Sequence, residues 1–282
     1  MKNRIPTALV ALTIVLFSSQ SFSHGRYILP SHTMTSSDKQ ETITLQASIS
    51  NDVFHPDMPL GNNDKGIKVN KKLSGVFAQL NPYVIEPNSN VQIPMSYQAF
   101  SRYSVSDATL NTKGTHRMVI EQKPFVVTSF THENGEPGRE FGPGKNLPQG
   151  AYDIQRRQVS SRSETFVSFN GMTNIQPEGK GLELTGSHPN DLFVGEAVNF
   201  QLILNGTPLT AATQIRLIRE GTRHRNQRDA MIIDTSNKGE FNVTFKETGF
   251  YLLEAQITQS SQQDGVDIEQ ATLYLTLEVF PQ

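Results

Sequence analysis

The stretch Glu41–Ser50, ETITLQASIS, alternates apolar and polar residues with a period of two. Such a period puts Ile43, Leu45, Ala47 and Ile49 on one face of a strand and polar residues on the other. The same kind of signal recurs in NVQIPMSYQAF, HRMVIEQ, PFVVTSF and ETFVSFNG, and later in AVNFQLILNG, TQIRLIREG, EFNVTFKETG, YLLEAQITQ and ATLYLTLEVF. Clusters of Gly, Pro, Asn and Asp separate these runs at intervals of about 8–14 residues, with no sustained 3.6-residue period between them. One helical turn is expected, within 56–80. The pattern predicts an all-β fold of two tandem immunoglobulin-like β-sandwich domains.

The polar stretch MTNIQPEGKGL, residues 172–182, separates the two predicted domains. Residues 24–175 form the expected N-terminal sandwich with long loops, and 176–282 a more compact immunoglobulin-like sandwich. HENGEPGREFGPGKNLPQG, residues 132–150, is dense in Gly and Pro and is expected to be an irregular surface loop or binding rim.

Residues 1–23 have the form of a cleavable signal peptide. Lys2 and Arg4 precede the apolar run IPTALVALTIVLF, and Ser21-Phe22-Ser23 gives a small-x-small cleavage pattern. Cleavage after Ser23 makes His24 the first mature residue, with a free α-amino group. The apolar run is short for a bilayer span, so no membrane insertion is expected after cleavage. The chain has no cysteine, which excludes a cysteine-linked lipid anchor and disulfides. The expected location is the periplasm of a Gram-negative cell. Loss of Lys2 and Arg4 moves the formal charge from −2 to −4, which argues against a nucleic-acid partner.

No G-x-S-x-G elbow, phosphate-cradling glycine loop or H-E-x-x-H occurs, and no pair of carboxylates stands out, so an enzyme is not expected. Metal ligation is better supported. A free N-terminal His24 could chelate a metal through its amino nitrogen and imidazole Nδ1, a nitrogen set suited to Cu(II) or Ni(II). The alternative terminal chelate needs a histidine at mature position three, and that residue is Arg26. SNDVFHPD, residues 50–57, gathers Asp52, His55 and Asp57 in one loop after a strand, and GSHPND, 186–191, offers His188 at the edge of the second domain.

HGRYILPS, SNDVFHPD, GLELTGSHPNDLFVGE, GEFNVTFKETGFYLLEA and LTLEVFPQ together resemble a bacterial family of unknown function known as NikM-like periplasmic components of nickel transport. The resemblance spans essentially the whole mature chain. It implies a secreted metal-handling protein of tandem β-sandwiches, encoded near outer-membrane receptors or metal transporters. Within its motifs His24, His55 and His188 match positions that hold polar, potentially ligating residues. Arg26 departs from the nickel pattern and leaves copper, iron or zinc open.

The expected function is periplasmic binding of a divalent transition metal ion in support of its uptake, nickel or copper first. The lead ligand is His24, with His55, Asp57 and His188 as further candidates. The expected partner is a membrane transporter or a TonB-dependent receptor system. The alternative is a metal-free immunoglobulin-like module that docks on such a partner.

Overall fold

The computed structural model describes residues 25–61, 79–225 and 229–282. The expected signal peptide, His24 and most of the segment expected to hold the helical turn lie outside these residues. In the first half the strands are β1 Gly25–Pro30, β2 Met34–Thr35, β3 Glu41–Ser50, β4 Met58–Pro59, β5 Leu80–Ile85, β6 Gln92–Pro94, β7 Gln98–Ala99, β8 Ser104–Leu110, β9 Gly114–Thr131, β10 Pro137–Phe141 and β11 Tyr152–Phe169. In the second they are β12 Leu182–Gly186, β13 Ala197–Leu204, β14 Thr207–Pro208, β15 Gln214–Arg219, β16 Met231–Asp234, β17 Glu240–Thr244, β18 Gly249–Ser260 and β19 Ile268–Val279. The single helical element among the described residues is a 3₁₀ turn, Thr222–His224. No helix there is long and apolar enough to cross a membrane. The fold is an all-β sandwich.

Three sheets build it. The first runs β1-β3-β8-β7 with β4 on β3, the second β16-β15-β18-β19-β11-β9-β5-β6 with β10 and β2 at its sides, and the third β12-β13-β14 with β17 on β13. The alternation in β3 is realised: Ile43, Leu45, Ala47 and Ile49 are buried against Met118, Ile120, Val167 and Phe169 of the second sheet. In the second half, Phe200 and Leu202 of β13 and Phe241 of β17 pack on Leu217, Leu253 and Leu275.

The stretch between the two predicted domains, 170–181, carries no strand, but the strands on either side of it share one sheet. Arg157–Thr165 of β11 pairs in parallel with Ile268–Thr276 of β19, while β9 pairs antiparallel on its other side. β11 therefore serves both halves: Phe166 enters the C-terminal core, and Val167 and Phe169 enter the N-terminal one. Period-two patterning shows which face of a strand is buried but not which strand lies beside it, so this fusion is silent in the sequence.

Two local differences have clear causes. HRMVIEQ and PFVVTSF are one strand, β9, although Lys123-Pro124 interrupts the pattern. Pro124 lacks an N–H, and the register of β11 shifts between Val159 and Ser161, opposite that break, so a bulge absorbs it. The Gly- and Pro-rich 132–150 region contains β10, which pairs with Val127–Thr131 and extends the β9–β11 ribbon into a three-stranded arm.

Candidate functional site

The loop Ser50–Asp57 is braced by its own polar groups. Ser50 Oγ donates at 2.5 Å to the Asp52 carbonyl and closely approaches the His55 carbonyl. The Asn51 backbone N–H donates to Asp57 Oδ2 at 3.0 Å, and that bond holds the Asp57 carboxyl below its ordinary pKa, with His55 and Arg102 acting in the same direction. Phe54 adopts φ 59°, and its ring meets Tyr27 edge-on at 5.1 Å and Phe250 at 6.0 Å. This apolar anchor fixes where His55 sits. Arg223 Nη1 lies 2.6 Å from His55 Nε2, so a guanidinium from the other half of the chain occupies the lone pair that a metal would use.

His188 lies at the junction of the halves. Its Nδ1 accepts the Asn190 backbone N–H at 3.1 Å, so the proton sits on Nε2, which faces the Thr173 carbonyl at 3.1 Å and Thr115 Oγ1 at 3.0 Å. Burial lowers its pKa, against the opposing pull of the Thr173 carbonyl and Asp191, and favours the neutral ring. Asn190 Nδ2 donates to the Thr33 carbonyl and to Ser168 Oγ, at 2.8 and 3.0 Å. As arranged, both ring nitrogens of His188 are engaged in joining β9, the 170–181 connection and the start of the second half.

β1 begins at Gly25, which pairs with Ser50, so the chain enters the sandwich beside the Ser50–Asp57 loop. An ideal Cβ on Gly25 would lie 2.8 Å from Glu254 Oε1 and 3.2 Å from a Leu252 methyl, so only glycine fits there without displacing neighbours. Glu254 is buried, with Arg216 Nη1 3.2 Å from its carboxylate. Arg26 reaches across to Ser161 Oγ at 2.9 Å, and burial lowers its pKa. β1 and the residues after it run along β11 from this Ser161 contact to the Thr33–Ser168 contact beside His188. Seven residues of strand separate those points by on the order of 20 Å. The start of β1 and His188 therefore belong to different places. Among the described residues no three His, Cys, Asp or Glu side chains converge as a metal group would require.

A cluster that sequence reading missed lies where the halves meet. Arg117 Nε and Nη2 are 3.2 and 3.1 Å from Glu164 Oε2, and Nη2 is 3.0 Å from Glu183 Oε1. Arg162 Nε is 2.5 Å from the other oxygen of Glu164, and its Nη2 contacts Glu178. Glu178 also accepts from Tyr83 Oη at 2.9 Å and Gln92 Nε2 at 2.8 Å. Glu183 accepts the backbone N–H groups of Glu178, Gly179 and Lys180 at 2.8, 2.8 and 3.1 Å. Two guanidiniums and three carboxylates are thus buried together, and every carboxylate oxygen has a donor, which is the condition for tolerating such charge. The cluster ties the connection to β9 and β11. Charges scattered over five distant positions give no sequence signal; the one available hint is that SRSETF puts Arg162 and Glu164 on one face of a strand.

The fold is an all-β sandwich whose two halves share one sheet through β11 and β19. The profile of the family described as "Domain of unknown function (DUF4198)" matches residues 21–259, and the chain belongs to that family. No curated protein matches the sequence. Among solved structures it is similar to a marsupial T cell receptor, at 9% identity over 92% of this chain and 74% of the receptor, with a TM-score of 0.22. The two tandem V-type regions of VCBP3, a v-region-containing chitin binding protein, are 9% identical over 89% of this chain and 98% of theirs, with a TM-score of 0.20. Escherichia coli alpha-2-macroglobulin activated by porcine elastase is 10% identical over 90% of this chain and 31% of its own, with a TM-score of 0.23.

Proposed function

We propose that the protein is a secreted periplasmic binder of a divalent transition metal ion that supports the ion's uptake, with His24 as lead ligand. The observation that carries this reading is the start of β1 at Gly25, with Arg26 and Tyr27 already packed into the sandwich. A ligand presented one residue before a fixed strand loses little conformational freedom on binding, which favours chelation by the terminal amine and imidazole. The metal is nickel or copper first, with iron or zinc open, and its delivery partner is a membrane transporter or TonB-dependent receptor. Asp57 and His55 stand on the loop beside this strand end and are the further candidate ligands, His55 once Arg223 gives up its Nε2; His188, with both ring nitrogens engaged, would ligate only at a separate place and after release of those bonds. The test is copper and nickel affinity of the processed protein, of His24→Ala and of a version extended by Gly-Ser before His24. Loss of at least about tenfold in affinity in both altered proteins supports the reading, and equal affinity in all three removes it.

The second reading, a metal-free docking module, draws on the three-stranded arm. It carries exposed Phe141, Tyr152 and Ile154. Retention of a receptor or transporter by metal-free His24→Ala protein, lost on Tyr152→Ser, would favour this reading.

A further inference from the structure

Beyond the N-terminal sandwich the long sheet continues into the three-stranded arm, and its register sorts the side chains there onto two sides. Directly paired residues of neighbouring strands point the same way, and successive residues alternate. Gln122 pairs with Ser161, and Phe125 with Val159, so the side that carries Met118 and Ile120 under the first sheet runs on past the Lys123-Pro124 bulge. It continues through Phe125 and Val127 of β9, Val159 and Tyr152 of β11, and Phe141 of β10. Phe141 and Tyr152 are 42% and 47% exposed, and the other three are half-buried. The 142–150 segment bonds to the opposite side instead. There the Gly142 carbonyl accepts from Thr128 Oγ1 at 2.6 Å and the Pro143 carbonyl from Arg156 Nε at 3.0 Å.

The open side is also cationic. Arg157 and Arg139 lie on it by register, and Arg26 reaches it from β1 to bond Ser161 Oγ. The ion pairs among the described residues engage Arg102, Arg117, Arg162, Arg216, Arg219 and Arg225, and none of these three. Arg157 donates only to neutral groups, Gln270 Oε1 and Gln155 Oε1, both at 3.2 Å. Burial lowers the pKa of Arg26 and only the Tyr274 hydroxyl group opposes that, so its charge is desolvated with no carboxylate to offset it. Glu121, Glu140 and Glu269 fall on the other side by the same register, opposite Arg162, Thr128 and Gln158. From Ser161 to Gln155, which aligns through Ser129 with Arg139, six residues of β11 span on the order of 20 Å. Three guanidiniums without countercharge are therefore strung along one apolar sheet face.

We propose that this face binds an extended acidic segment of a partner protein, whose carboxylates pair with Arg139, Arg157 and Arg26 and whose apolar side chains cover Phe125, Val127 and Phe141. Charge complementarity selects the acidic partner. The first sheet stands on the same face, and β1 carries Arg26 across it, so the cationic stripe runs out of an inner corner between two sheets. A single extended chain can follow that corner, whereas a flat lipid surface cannot. The proposal rests on the arm of the docking reading but on neither a receptor nor a metal, and a synthetic peptide tests it apart from both.

The probe is the fluorescein-labelled peptide Glu-Thr-Val-Thr-Glu-Thr-Phe-Thr-Glu, titrated with the full processed protein in EDTA and followed by fluorescence anisotropy. An extended chain puts its glutamates, Val and Phe on one side, and the glutamate spacing matches that of Ser161 and Arg157 along β11. Saturable binding is expected. The counterpart with Gln for every Glu should bind at least about tenfold more weakly, as should the acidic peptide to protein carrying both Arg139→Gln and Arg157→Gln. Arg139→Gln alone, at an exposed position, should lose about threefold with an unchanged urea midpoint. Arg156→Gln removes a cation from the opposite side of the same strand and should leave the affinity within about twofold. Absence of saturable binding, equal affinity for the Gln peptide, or a loss in Arg156→Gln as large as in the double variant would each overturn the proposal. Co-sedimentation with phosphatidylglycerol vesicles, lost in the double variant and without peptide binding, would overturn it in favour of a lipid occupant.

Discussion

Replacing Arg117 by alanine probes the junction most sharply. The guanidinium is 4% exposed, bonds Glu164 twice, bonds Glu183 once, and lies with Cζ 5.5 Å from the centre of the Phe166 ring. Its removal leaves two buried carboxylates short of a countercharge. Breaking one side of a buried pair costs about 3–5 kcal/mol, and the lower end applies because Glu164 retains Arg162 and Glu183 retains three backbone donors. For a chain of this size about 3 kcal/mol corresponds to a fall in Tm of roughly 10 °C. Urea unfolding of the processed protein should show the midpoint falling with the slope unchanged, which marks a loss of stability without altered compactness. Arg117→Lys should recover only part of the loss, because one ammonium cannot reproduce the forked contact to two carboxylates. A loss under about 1 kcal/mol for Arg117→Ala, the level of an exposed ion pair, would refute the assignment of this cluster as the junction's main polar tie.

Acid should act on the same cluster. Burial works to raise the Glu178 pKa, but the Arg162 guanidinium outweighs it and holds the group below the ordinary carboxylate value. A depressed folded pKa contributes stability that is complete above the unfolded value of about 4.3 and is lost as pH falls through the folded one. Glu178→Gln should therefore flatten the stability profile below about pH 5, as read by unfolding at a series of pH values. His188 should titrate below a free imidazole in NMR; because its folded pKa is lowered, its contribution is complete above about pH 6.5 and declines as pH falls below that. Gly186→Ala should destabilise by about 1–3 kcal/mol in urea unfolding, since Gly186 has φ 107° and a Cβ there would lie 2.4 Å from the Asn199 carbonyl oxygen.

Much of the fold is legible in the residues because burial on one strand face imposes a period of two. ETITLQASIS and EFNVTFKETG place their core residues where that period puts them. The joining of the halves is not legible, because nothing in a strand's own pattern names its neighbour. In β11 both faces are buried, which fills 161–169 with Arg, Glu, Thr and Ser among the apolar residues and hides its central place. The candidate ligands follow the same division. That His55 and His188 occupy defined turns could be read from their Pro and Asp neighbours. That Asn190, Thr173 and Thr115 would engage both nitrogens of His188, and Arg223 would face His55, depends on contacts between residues as far as 168 positions apart. Arg26, whose sequence signal is only the absence of a third-position histidine, is a half-buried tie between β1 and β11.

Native mass spectrometry of protein exported through its own leader reports the terminal residue and the bound ion in one spectrum. The proposed function predicts a chain beginning at His24 with one divalent transition metal ion, and a metal-free mass once a residue is added before His24. A chain beginning elsewhere, or the same metal content with and without the added residue, would contradict it.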